Sequence, residues 1–253
     1  MDIIFNGLNI NDKTNYFVEK SNHDDVAKQE IDIQKLARTN TSLLLRKSYG
    51  ERTIKMEVII KDTSKTALDT RLDTFRWKME EINKNLDIDY AGGTRRYVSS
   101  GSIKSVERKY FWAKATVEFK CYQAFGEETA NTTETFLNNT VTPYAEDVEI
   151  AGTAPAQPDI QIDVDSITSS GDKFMQFKNT VNGNYVKITA DDWAISDVII
   201  ISTRLATVTK NGTVIEYLGI MPAFLPGDNN WEYTDDFTAR QVDITISYKK
   251  RYL

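Results

Sequence analysis

The chain of 253 residues has one histidine, His23, and one cysteine, Cys121. A disulfide within the chain is therefore impossible. Zinc sites built from cysteine and histidine need three or four such ligands and are excluded. A Ser-His-Asp hydrolase would have to use His23, which sits in the polar, exposed-looking run Asn22-His23-Asp24-Asp25. No apolar run longer than Val198–Ile201 is present, so no membrane-spanning helix is expected. The start, Met1-Asp2-Ile3-Ile4-Phe5-Asn6-Gly7, lacks a basic n-region and a cleavage site, so no signal peptide is expected. Basic excess is also missing: 31 Lys/Arg against 37 Asp/Glu leave a net charge of −6, which argues against a dedicated nucleic-acid binder. Only five prolines occur, and all lie after residue 142.

Aromatic residues are plentiful: 12 Tyr, 11 Phe and 4 Trp supply a core and argue against disorder. Charge divides the chain. Residues 1–130 hold 22 basic and 20 acidic side chains, whereas residues 131–253 hold 9 and 17, so net +2 is followed by net −8. The polar stretch Glu127–Asn139 lies between them. We place two domains at residues 1–135 and 136–253, with the boundary near 130–145.

The first half predicts strands and one helix. Leu68, Leu72, Phe75, Met79, Ile82 and Leu86 recur at alternating intervals of four and three, an apolar stripe that predicts a helix over about 64–86. Phe111, Ala113, Ala115, Val117, Phe119 and Cys121 alternate with polar or exposed-type residues, which predicts a half-buried strand and makes Cys121 a core residue. Residues 29–61 read as a long hairpin. Ile31, Ile33, Leu43, Leu44 and Leu45 give it more apolar surface than an isolated ribbon can hide, so either its own domain or a neighbouring chain must cover it. The second half predicts many short strands. Asn182-Gly183 and Asn211-Gly212, each flanked by alternating runs, are hairpin signals. No long helix is visible there, so a β-sandwich or jelly roll is expected. The fold class is mainly β with one long helix (α+β).

Motifs for chemistry are scarce. Gly92-Gly93-Thr94-Arg95-Arg96 lacks the spacing and the Lys-Ser/Thr of a phosphate loop. Arg95, Arg96, Lys104, Arg108 and Lys109 form a basic cluster that reads as a solvated surface. Acid pairs at Asp87/Asp89, Asp163/Asp165, Asp191/Asp192 and Asp235/Asp236 fit no calcium-loop spacing. No cofactor, metal or catalytic residue is expected. Trp193, Trp231 and Tyr233 are candidates for stacking on sugar rings, with closure of a sandwich core as the other reading.

The order of these features resembles one family: the distal tail proteins of long-tailed, non-contractile bacteriophages, above all those of Gram-positive hosts. Phe5-Asn6-Gly7-Leu8-Asn9-Ile10 with Tyr16-Phe17-Val18 resembles the family's opening strand and turn. The hairpin at 29–61 lies where the family carries its belt, and the helix follows. Trp112–Tyr122 resembles the strand closing the first domain, although Gln123-Ala124-Phe125-Gly126 departs from the usual turn. Gly152-Thr153-Ala154 with Pro158, the loop Pro222–Asn229 and the terminal Tyr248–Leu253 continue the likeness. The resemblance implies a sandwich-like or barrel-like ring domain followed by a galectin-like β-sandwich. It also implies a hexameric ring in the virion, made in the host cytoplasm and located at the tail tip or baseplate. Its expected partners are further copies of itself, the tail tube protein, the tail-tip protein and baseplate or receptor-binding proteins. The alternative is a module that binds cell-wall carbohydrate.

Overall fold

The computed structural model describes residues 1–35, 42–168 and 171–253, the side chains of 32–35 and 42–48 excepted. The chain forms two compact units, Met1–Thr129 and Ala130–Tyr252. Among the described residues it is built of strands and one helix.

Unit 1 contains β1 (Ile3–Phe5), β2 (Leu8–Asn9), β3 (Tyr16–Ser21), β4 (Gln29–Lys35), β5 (Ser42–Tyr49) and β6 (Arg52–Lys61). Helix α1 (Lys65–Met79) follows, then β7 (Lys84–Tyr90), β8 (Gly93–Arg108), β9 (Trp112–Cys121) and β10 (Gly126–Glu128). The main sheet runs β2-β1-β7-β8-β9-β6-β3, with β10 added on β8. Period-2 patterning decides its faces. Ile54, Met56, Val58 and Ile60 of β6 and Ala113, Ala115, Val117, Phe119 and Cys121 of β9 are all buried on one side. Leu68, Leu72, Phe75 and Met79 of α1 cover that side. Ser64 caps the helix, its side chain accepting the Ala67 N–H at 3.1 Å.

Three expectations about unit 1 are corrected. The helix ends at Met79, not near 86: the Glu80 N–H closes on the Arg76 carbonyl, and Asn83 turns the chain with φ 55°. Ile82 is exposed, and Leu86 is buried as part of β7, where it alternates with Ile88. Nor is 29–61 one hairpin. Only β4 and β5 pair as a separate two-stranded arm, whereas β6 lies between β9 and β3. Ten paired residues with β9 and four apolar side chains under the helix bind β6 to the main sheet. Phe111 lies in the β8–β9 turn, half exposed against Tyr110, rather than on the core face.

Unit 2 contains β11 (Thr132–Asn139), β12 (Tyr144–Ile150), β13 (Asp159–Thr168), β14 (Lys173–Asn179), β15 (Tyr185–Ala190) and β16 (Val198–Ser202). Next come β17 (Thr207–Lys210), β18 (Thr213–Ile215), β19 (Leu218–Gly219), β20 (Gly227–Asp235), β21 (Ala239–Tyr248) and β22 (Arg251–Tyr252). One sheet runs β11-β21-β13-β16-β17-β18, the other β12-β20-β14-β15-β19. Ile160, Ile162, Ile199, Ile201, Ile244 and Ile246 from the first meet Met175, Phe177, Val186, Ile188 and Trp231 from the second in one core, a β-sandwich. Asn211 and Gly212, both with positive φ, form the two-residue turn between β17 and β18. Asn182-Gly183 instead lies within a five-residue loop, residues 180–184. Gly219 is required where it stands. Its φ is +114°, and a Cβ there would lie 2.1 Å from the Tyr185 carbonyl oxygen.

Candidate functional site: the arm and its root

The arm pairs Ile33 with Leu44 and Gln34 with Leu43, while a bulge between Asp32 and Ile33 leaves Leu45 without a cross-strand partner in the register. Ile31, opposite Lys47, is 53% exposed. The side chains of Ile33, Leu43, Leu44 and Leu45 lie outside the described residues. Among the described residues, no third strand joins the arm.

The chain leaves the main sheet at Ser21, runs out through residues 22–28 and returns through Gly50 and Glu51 to Arg52. This root is bonded on both legs. Asn22 Oδ1 accepts the Lys55 N–H at 2.6 Å, and the Gly50 N–H donates to the Lys28 carbonyl at 2.8 Å. Arg52 is 3% exposed. One of its terminal nitrogens donates to the His23 carbonyl and the other to the Tyr97 hydroxyl at 3.2 Å. Its guanidinium carbon lies 5.1 Å from the centroid of the Tyr97 ring. The Tyr90 hydroxyl also donates to the His23 carbonyl, at 3.0 Å. The His23 ring is not free in solvent as expected: its Nδ1 sits 2.8 Å from the Ser21 hydroxyl and the ring packs on Tyr90 at 5.6 Å. Burial raises the Tyr90 phenol above its ordinary range. Burial likewise pushes the Cys121 thiol up to about 12, against the opposing pull of Arg52, so Cys121 is not a reactive thiolate.

Sequence reasoning missed Arg52, although the signal was present. It stands two residues before Ile54, in phase with Met56 and Val58, so strand periodicity points an arginine at the core.

The remaining candidates find other surroundings. Trp231 and Tyr233 are fully buried on β20, and Trp193 is 7% exposed. Trp231 packs on Phe136, Phe177 and Tyr144 at 4.9, 5.2 and 5.7 Å. The Trp193 indole donates to the Lys173 carbonyl at 2.9 Å and meets Phe237 edge-on. None of the three presents a ring face for a sugar; they close the sandwich core. The basic cluster is largely paired: Arg96 forks onto Asp87 at 2.7 Å through Nε and one terminal nitrogen, Lys104 pairs with Glu118, Arg108 with Asp69 and Lys109 with Glu107. Of the acid pairs, Asp192 binds Lys210, and Asp235, its side chain fully buried, binds Arg240 at 2.7 Å.

This arrangement, a helix-backed antiparallel sheet followed in the chain by a β-sandwich, is similar in fold to solved phage hub structures. One such structure is the SPP1 Dit (gp 19.1) protein, described as a paradigm of hub adsorption apparatus in Gram-positive infecting phages. The two chains share 15% identity at a TM-score of 0.73, over 100% of this chain and 99% of that one. Chains of the phage P2 baseplate in its activated conformation also match. The calcium form gives 9% identity and a TM-score of 0.44 over 95% of this chain and 92% of that one. The strontium form gives 10% and 0.43 over 97% and 96%. No protein-family model matches the sequence, and no curated protein matches it.

Proposed function

We propose that the chain is a structural virion protein of the distal tail family. In this reading six copies close a ring at the distal end of a phage tail. The ring joins the tail tube to the tail-tip and baseplate proteins and carries receptor-binding proteins. The observation that carries the reading is the likeness to the SPP1 hub protein along the entire chain. The arm supports it. A two-stranded ribbon is marginal alone in water, and a head-to-tail contact that closes on itself covers every such ribbon at once. The role is architectural rather than enzymatic: the sequence supplies few catalytic residue types, and the acids and bases named above serve largely as ion-pair partners within the fold. Burial of Trp231 and Tyr233 removes the argument for a sugar-stacking module.

Gel filtration with light scattering, followed by negative-stain imaging, tests this. The purified chain is expected to form particles of six copies with a central opening. A strict monomer at every concentration up to that of the virion-assembly range would overturn the ring.

A further inference from the structure

We infer that Arg52 is the positioning residue of the arm: its buried guanidinium ties the outgoing leg, through the His23 carbonyl, to the returning leg and to Tyr97 of the main sheet. The inference rests on the proposed ring, in which the arm has to meet a neighbouring copy.

A guanidinium as buried as Arg52 is costly unless its charge is compensated. Among the described residues no carboxylate pairs with it. A carbonyl, a phenolic oxygen and an aromatic face are its partners, and its Nε is buried without one. An apolar side chain would fill the same phase of β6 at less electrostatic cost, as Ile54 and Met56 do two and four residues on. The fork does what an apolar residue cannot: it joins points on three segments at fixed distances. Arg52 itself is paired to Cys121 of β9, Tyr97 belongs to β8, and His23 lies on the leg that leads out to β4. The Tyr90 hydroxyl, from β7, seats the same carbonyl from a fourth direction.

Leverage makes the root matter. β4 has seven residues, so the arm reaches about 23 Å from its base at about 3.3 Å per residue. A rotation of about 10° at the root then moves the tip by about 4 Å, nearly the roughly 4.8 Å between paired strands. A root left free to rock by that amount would lose the register of any strand-like contact farther out.

The test compares the full-length protein with Arg52→Met, Arg52→Lys and Tyr97→Phe. Amide hydrogen exchange is followed at residues 22–28 and 49–52, alongside thermal melting and light scattering. Arg52→Met is expected to melt cooperatively near the wild-type midpoint, to exchange at least tenfold faster at the root, and to populate fewer rings. Arg52→Lys, with one donor group instead of a fork, is expected to fall between them. Unchanged root exchange in Arg52→Met would overturn the inference. If Arg52→Met does not fold, Tyr97→Phe decides: faster root exchange supports the clamp, and wild-type exchange overturns it. Should the wild type form no rings, the assembly reading fails, yet the exchange comparison still decides the role of Arg52.

Discussion

Removing the indole of Trp231 should leave a void between the two sheets of unit 2, where Phe136, Tyr144 and Phe177 now touch it. Trp231→Ala is therefore expected to cost about 3–5 kcal/mol, read by urea unfolding. Adding soluble wall sugars to the intact protein should leave tryptophan fluorescence unchanged, and a saturable shift would revive the sugar-binding module. In unit 1 a second residue governs behaviour in acid. Burial pushes the Asp12 carboxyl up, but the N–H groups of Thr14, Asn15 and Tyr16, at 2.7–2.9 Å, outweigh it and hold the group below its ordinary range. Asp62 is likewise held low, first by the Thr63 N–H and then by Arg71. A carboxylate lowered by folding stabilises fully above its unfolded value, about pH 4, and loses that contribution as pH falls through its folded value. The melting midpoint should thus fall between pH 5 and pH 3. Asp12→Asn should start lower at pH 5 and fall less; an unchanged acid slope would show that the Asp12 loop is not coupled to global unfolding.

At the level of elements, the arm and the helix make opposite use of apolar residues. The stripe of α1 is satisfied within its own unit by β6 and β9. Among the described residues, the arm has only its own two strands. Leu43 and Leu45 belong to β5, which is not part of the main sheet, so charging both alters the arm alone. Leu43→Asp with Leu45→Asp is expected to abolish the ring while circular dichroism and the melt of the monomer stay native. Persistence of six-copy particles would show that assembly uses another surface. Loss of folding would show that the arm belongs to the core of unit 1. These outcomes differ from those of the Arg52 variants, which leave the ribbon's surface intact and loosen only its base.

For the whole molecule, the two units each own a complete hydrophobic cluster. A fragment of residues 130–253 is expected to melt cooperatively on its own, and a molten, dye-binding product would count against independent folding. Its starting point matters. Beginning at residue 140 would delete β11, which pairs with β21 and brings Phe136 onto Trp231, so that shorter fragment should be markedly less stable. The charge contrast between the halves, net +2 and net −8, means that the fragment should also elute at higher salt than the full chain on an anion exchanger, per unit mass loaded.

Local periodicity was legible in the sequence because it is a property of neighbours along the chain. The stripe from Leu68 to Met79 and the alternation from Ala113 to Cys121 each report a face, and each face is buried as that reading required. The same reasoning overran at Ile82 and Leu86, since spacings of three and four continue in phase across the Asn83 turn into a strand. Residue counts alone likewise exclude a cysteine-histidine zinc site and a disulfide within the chain. Pairing was another matter. That β6 joins β9 rather than the arm, that Trp231 lies beneath Phe136, and that Arg52 meets the carbonyl of His23 are all choices between partners distant in sequence. A strand pattern states which side chains must be buried but not what will bury them. Only the folded chain, by bringing those distant segments into register, decided which aromatics became core and which arginine holds the arm.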